Sequence, residues 1–79
     1  MSEASLRSFD RALQLQVLTR VLLEAAGPET AAQMVLDGEE PFVEYVRAGY
    51  PDEKLSFEDG RVMYRLLLKW MFPTGPRVN

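Results

Sequence analysis

The side chains best suited to chemistry in this sequence are carboxylates in its middle third. Eight acidic residues lie between positions 37 and 59, namely Asp37, Glu39, Glu40, Glu44, Asp52, Glu53, Glu58 and Asp59. Paired carboxylates act as general acid and base when a cleft shifts their pKa values. All of them except Glu44 fall at predicted helix ends and in loops, and a chain of 79 residues has little room for such a cleft. We therefore interpret them as helix caps and solvated turns.

The commonest general base, nucleophile and transition-metal ligands, histidine and cysteine, are missing. The sequence contains no histidine and no cysteine, so neither a Ser-His-Asp nor a Cys-His arrangement can be built. The segments "LDGEEPFVEY" and "FEDGRV" lack the alternating oxygen ligands and final glutamate of an EF-hand loop. There is also no glycine-rich phosphate loop. We predict a protein that is not an enzyme and that needs no metal and no cofactor.

A basic stripe near the C-terminus is the second group that could bind a ligand. Arg61, Arg65 and Lys69 recur every four residues and so share one face of a helix. A small nucleic-acid-binding regulator would place this stripe on phosphates, which is the alternative function. An isoelectric point of about 4.8 opposes it, and three charges in a stripe are typical of a solvated helix face.

Charge is distributed unevenly along the chain. Residues 37–59 carry a net charge of −6 and residues 60–79 a net charge of +4, within an overall charge of −3. Surface ion pairs between such segments contribute only about 0–1 kcal/mol each. The sequence leaves open whether the acidic segment has a function, such as imitating nucleic acid, or is simply solvated.

Helix breakers divide the chain into four segments. They are Gly27-Pro28, Gly38, Gly49 with Pro51, and Pro73. Helix-forming residues dominate between them, and no segment shows the alternation of a strand. We predict an all-α fold, a compact bundle of about four helices over residues 5–26, 28–37, 40–48 and 57–72. The domain would span 1–79, ordered over about 5–73, with 74–79 as a flexible tail.

The start of the fourth helix has a recognisable signal. Ser56 suits the N-cap, and Asp59 stands where a capping box places its acid. Gly60 in the first turn costs about 1 kcal/mol relative to alanine. We interpret this glycine as tolerated rather than as required for a close helix contact.

The first helix has two apolar stripes. One contains Leu6, Phe9, Leu13 and Val17, and the other contains Leu15, Leu18, Leu22 and Ala25. The stripes are rotated by well over a quarter turn, so the helix either contacts different neighbours with its two halves or bends between them. Together they supply more apolar surface than one contact can bury.

The fourth helix is apolar on most of its circumference. Opposite its basic stripe lie Val62, Met63, Leu66, Leu67 and Trp70, where an internal core is expected. A second apolar flank is formed by Tyr64, Leu68, Met71 and Phe72. This flank has four interpretations: a helix covered on both sides within its own bundle, a homodimer interface, a docking site for another protein, or a membrane-surface helix. We favour an interface, because two short helices cannot easily cover both long ones.

These patterns predict a class of function and no specific biological role. We expect a non-catalytic protein-binding module, such as a small regulator, an inhibitor or an adaptor subunit, whose partner is another protein, a second copy of the chain, or both. No N-terminal apolar segment resembles a signal peptide, and no apolar run approaches the ~20 residues of a membrane span. The cytoplasm is the expected location.

Overall fold

The computed structural model describes the backbone of residues 3–72 and the side chains of residues 10–72. Over that range the chain is all-helical and contains no strand. Its elements are α1 (Glu3–Ala26), α2 (Pro28–Asp37), α3 (Glu39–Gly49), a 3₁₀ turn (Pro51–Glu53) and α4 (Phe57–Met71). The predicted all-α bundle of four helices is confirmed. The predicted stop at Pro73 and the predicted flexible tail at 74–79 lie outside the described residues.

Single glycines separate the first three helices. Gly27 and Gly38 have φ angles of 91° and 113°, a region in which side chains other than glycine are strained. The chain therefore turns sharply after α1 and again after α2. Pro28 occupies the first turn of α2, where its missing N–H leaves no helical hydrogen bond unmade. These breakers explain why the sequence predicted the bounds of α2 correctly and those of α1 and α3 to within two residues.

A capping box begins α4, as the sequence predicted. The Ser56 hydroxyl accepts a hydrogen bond of 3.0 Å from the Asp59 backbone N–H. In return, the Asp59 carboxylate accepts one of 3.0 Å from the Ser56 backbone N–H. Two N–H groups that would otherwise lack helical partners are thus satisfied, which fixes the first residue of the helix.

The core is organised around α4, which contacts all three other α-helices. Its Met63 and Leu67 side chains are completely buried. From α3 they are joined by Phe42, Val43 and Val46, and from α1 and α2 by Leu15, Thr19, Leu22, Ala31 and Val35. Burial of each large apolar side chain contributes about 1.5–3 kcal/mol. The position of α4 agrees with the interpretation in which neighbouring helices cover it on more than one side.

Gly60 is required for the close approach of α3 and α4. It is buried, and a Cβ atom added to it would lie 2.8 Å from Cγ1 of Val43. Such a distance is far inside van der Waals contact, so a larger residue would force the two helices apart. The interpretation of Gly60 as merely tolerated in the helix was wrong.

Of the two apolar stripes of α1, the second one packs against the core. In the second stripe Leu15 and Leu22 are buried and Leu18 is half-buried, whereas Ala25 at its end is exposed. Thr19 lies among these core positions because its hydroxyl donates a hydrogen bond of 2.6 Å to the Leu15 carbonyl oxygen. A buried hydroxyl with this partner loses little on leaving water. The core side of α1 is therefore the second stripe.

Candidate functional site

The flank of α4 that the sequence nominated as an interface packs mostly inward. Tyr64, Leu68 and Met71 are half-buried against the core, and Phe72 remains 45% exposed. The Tyr64 hydroxyl donates a hydrogen bond of 2.9 Å to the Val35 carbonyl oxygen, and its ring centroid lies 5.5 Å from that of Phe42. These contacts cover most of the flank within the fold, as in the interpretation of a helix covered on both sides by its own bundle. Binding of a partner by these four residues stays a prediction, and Phe72 offers most of the surface for it.

Trp70 also differs from the prediction. It was placed on the buried side of α4 with Met63, Leu66 and Leu67, but it is only half-buried, as is Leu66. The Arg20 guanidinium lies 5.1 Å from the centre of the Trp70 ring, a cation–π contact between α1 and α4. Trp70 therefore lies at the margin of the core, beside the solvent-facing side of α1.

The basic stripe is partly neutralised within the fold. Nε of Arg61 lies 3.4 Å from the Glu39 carboxylate, and Nη1 of the same side chain lies 3.5 Å from the Glu58 carboxylate. Arg65 and Lys69 are exposed on the same helix. Two of the acidic residues of segment 37–59 thus offset one of the three stripe charges, which reduces the positive potential that a phosphate backbone would meet.

A third acidic residue of that segment, Asp59, is used to join helices. Its carboxylate lies 2.8 Å from Nη2 of Arg11. Partial burial tends to raise the pKa of Asp59, but the hydrogen bond from the Ser56 backbone and the Arg11 guanidinium outweigh it, so the pKa lies below its usual value. Among the residues whose side chains are described, no group of three or more acidic side chains is placed to hold a metal ion.

The most unusual surface feature is an apolar row on the solvent side of α1. Leu13, Val17 and Val21 are 45%, 64% and 48% exposed, and their spacing of four residues places them on one side of the helix. Leu15 and Val17 project about 160° apart at about 100° per residue. This exposed stripe, defined as Leu13, Val17 and Val21, is therefore almost opposite the buried side of α1.

Grooves run along both sides of the exposed stripe. The larger has a volume of about 880 Å³; it is lined by Asp10, Arg11, Leu13, Gln14, Val17, Leu18, Val21 and Glu53. The smaller has a volume of about 300 Å³; it is lined by Gln16, Val17, Arg20, Val21 and Trp70. Val17 and Val21 belong to both, so the exposed stripe forms a ridge between two hollows with polar margins.

Other exposed apolar side chains are distributed singly. Leu36 lies on α2, Tyr45 on α3, Phe57 at the start of α4 and Phe72 just after its end. A hollow of about 280 Å³ between α2 and α3 includes Tyr45. Isolated apolar side chains are normal on a protein surface, whereas the three side chains of the exposed stripe adjoin one another on one helix face. The exposed stripe is accordingly the candidate site.

Sequence reasoning detected two of the three residues of this site and placed the predicted interface on α4 instead. Leu13 and Val17 were recognised as part of one stripe of α1, but its continuation to Val21 was missed. The signal was available, because Val21 follows Val17 by the same four-residue step. Leu6 and Phe9, the other predicted members of that stripe, lie outside the residues whose side chains are described.

Comparison of the chain with protein-family models, curated proteins and solved structures finds no match. Within the described part of the chain, each helix is either too short or too polar to cross a membrane.

Proposed function

We propose that this chain is a non-catalytic protein-binding module that acts through the exposed stripe of α1. One observation carries the proposal: three aliphatic side chains in successive turns face solvent on the side of α1 opposite its buried side. Keeping such a row in water is unfavourable by about 25 cal/mol for each Å² of apolar surface. Contiguous apolar surface with polar margins is typical of protein-interaction sites.

The fold holds the stripe in place before a partner arrives. Leu15, Thr19 and Leu22 anchor the opposite side of α1 in the core, and Arg11 ties the helix to the start of α4. A surface that does not need to become ordered on binding loses less entropy when the complex forms. An amphipathic helix of a partner would seat its apolar side chains in the two grooves, on either side of the Val17–Val21 ridge.

A small rigid module of this kind fits a regulator, an inhibitor or an adaptor subunit. The proposal places it in the cytoplasm, since the sequence has no cysteine for the disulfides that small secreted domains use. The competing function, nucleic-acid binding through α4, depends on Arg65 and Lys69, which remain exposed. The ion pairs of Arg61 and the net charge of −3 oppose it.

The proposal is tested by affinity capture from the source cells with three forms of the protein. Val17→Asp places a carboxylate on the ridge, and Leu36→Asp is its matched control, because Leu36 is equally aliphatic and even more exposed, at 74%. We expect the parent and Leu36→Asp to retain the same partner, and Val17→Asp to lose it. Equal capture by all three proteins would contradict the proposal, and capture of nucleic acid that falls steeply with salt would favour the alternative.

A further inference from the structure

We propose that the hollow between α2 and α3 is a second binding surface, which takes a lysine or arginine side chain of a basic partner protein. The hollow has a volume of about 280 Å³, and all the residues that line it belong to these two helices. It is therefore separate from the exposed stripe of α1. Its occupant is a long side chain with an apolar stem and a cationic end.

The walls of the hollow suit the apolar stem of such a side chain. Met34 and Pro41 line it together with the rings of Phe42 and Tyr45. Phe42 belongs to the core, whereas Tyr45 is 51% exposed, so the hollow reaches from the core to the solvent. Lysine and arginine bury their methylene stems on apolar surface and keep the charged end in water. The volume is below the range of about 300–1,000 Å³ that is typical of small-molecule sites, so a single side chain fits it better than a cofactor.

The charge of α2 and α3 favours a cationic occupant. The two helices have a net charge of −4, and the remainder of the chain has a net charge of +1. Their one basic residue, Arg47, donates a hydrogen bond of 3.0 Å to the Leu55 carbonyl oxygen. Of their five acidic residues, only Glu39 has a basic partner within the described part of the chain, namely Arg61. Negative potential is thus concentrated at these two helices, and it attracts a basic partner here rather than to α1 or α4.

Asp37 and Tyr45 are the residues that would contact the cationic end. Asp37 is exposed and lines the hollow, and its Oδ1 accepts a hydrogen bond of 3.0 Å from the Gln33 side-chain amide. An ionised carboxylate has about four lone-pair sites, so this bond orients Asp37 and leaves room for an ammonium or guanidinium group. The face of a tyrosine ring attracts a cation that lies within about 6 Å of its centre. Because both contacts are exposed to water, binding should be weak and should fall with salt.

A basic peptide tests this surface on the full chain. The probe is a short amidated peptide of alternating leucine and lysine, and the control peptide has glutamate in place of lysine. Titration of the isotope-labelled protein, followed by NMR, should shift the amide signals of the residues that line the hollow with the lysine peptide only. Shifts confined to α1 or α4, or no shifts with the peptide at millimolar concentration, would overturn the inference.

A pair of aspartate variants separates the hollow from general attraction between opposite charges. Asp37→Asn and Asp52→Asn remove the same charge from exposed positions, but Asp52 lies in the 3₁₀ turn and does not line the hollow. We expect Asp37→Asn to weaken binding of the lysine peptide by about threefold to fivefold. Asp52→Asn should weaken it by less than about 1.5-fold, because salt screens distant charges. Equal effects of the two variants would mean that only net charge matters, and would overturn the site.

A pair of aromatic variants tests the ring. Tyr45→Leu keeps an apolar side chain at the hollow but removes the ring, and should weaken binding of the lysine peptide by about twofold to fivefold. Phe57→Leu is the matched control, because Phe57 is also exposed and aromatic but lies on α4 outside the hollow. It should leave the affinity unchanged. A parent-like affinity of both Tyr45→Leu and Asp37→Asn, with helix content equal by circular dichroism, would overturn the inference.

Discussion

The Arg11 guanidinium donates a hydrogen bond of 2.8 Å to the Asp59 carboxylate and so ties α1 to the first turn of α4. The same nitrogen also lies 3.2 Å and 3.3 Å from the carbonyl oxygens of Glu53 and Lys54. One side chain therefore joins α1, the 3₁₀ turn and the capping box of α4. The Asp59 carboxylate is needed both for the cap and for this connection.

Replacing Asp59 should show how much its carboxylate contributes to the free energy of unfolding, because that contribution depends on pH. Because the pKa of Asp59 is lower in the folded protein than in the unfolded chain, its stabilising effect is fully present above the unfolded value of about 3.9. It is lost as the pH falls through the folded-state pKa. Asp59→Asn should lower the free energy of unfolding by about 1–2 kcal/mol near neutral pH, and this difference should shrink at about pH 3.

Urea unfolding of parent and variant at the two pH values measures this difference. Asp52→Asn is the matched control, because Asp52 is exposed in the 3₁₀ turn next to the same region. We expect Asp52→Asn to change stability by less than about 0.5 kcal/mol at either pH. A difference for Asp59→Asn that is the same at both pH values would mean that ionisation of Asp59 does not stabilise the fold.

A second prediction concerns the contact between Gly60 and Val43. Alanine is about 1 kcal/mol better than glycine within a helix, yet Gly60→Ala should lower the free energy of unfolding by about 1–3 kcal/mol because its Cβ collides with Val43. Gly49→Ala is the control, since no atom lies within 4 Å of its added Cβ. It should be neutral or slightly stabilising.

A double-mutant cycle shows whether the collision is with Val43 itself. Val43→Ala removes the methyl groups that the new Cβ would meet, so the combined variant should lose less stability than the sum of the two single variants. We expect a coupling of about 0.5–3 kcal/mol between the positions. Strict additivity would indicate that the effect of Gly60→Ala arises elsewhere.

A third prediction compares the stability lost when Met63 or Trp70 is truncated to alanine. The sequence placed both residues on the buried side of α4. Met63 is completely buried, whereas Trp70 is half-buried at the margin of the core. Met63→Ala should therefore cost about 2–5 kcal/mol, and Trp70→Ala only about 1–3 kcal/mol, below the range for a fully buried tryptophan. Denaturant unfolding of the two variants supplies the comparison. A larger loss for Trp70→Ala would place Trp70 in the core.

Features that depend on neighbouring residues in the chain were predictable. The glycine and proline breakers and the Ser56–Asp59 pair act within one turn of backbone, so they located the helices and the capping box. Gly60 shows where such local reasoning ends. Its helix propensity is local, but its role depends on Val43, which lies 17 positions earlier and approaches only when α3 packs on α4.

The candidate site was the hardest part to predict because it depends on which face each helix turns inward. Both α1 and α4 have apolar residues on more than one side, and periodicity alone does not rank these sides. Thr19 is buried although it is polar, since its hydroxyl has a partner one turn earlier. Tyr64 is directed inward by its hydrogen bond to Val35. Long-range packing of this kind, with Leu68 and Met71 also against the core, covers most of the α4 flank. It leaves the exposed stripe of α1 in water.

The final prediction tests which helix faces are buried and which are exposed, by placing a glutamate at one position of α4 and one position of α1. Leu68 packs against the core, so Leu68→Glu should lower the free energy of unfolding by about 2–3 kcal/mol. Val17 faces solvent, so Val17→Glu should change it by less than about 0.5 kcal/mol. Both are measured at low protein concentration, where association contributes little to stability. If Leu68→Glu were as stable as Val17→Glu, the flank of α4 would be open to a partner, and the face assignment made from the structure would be wrong.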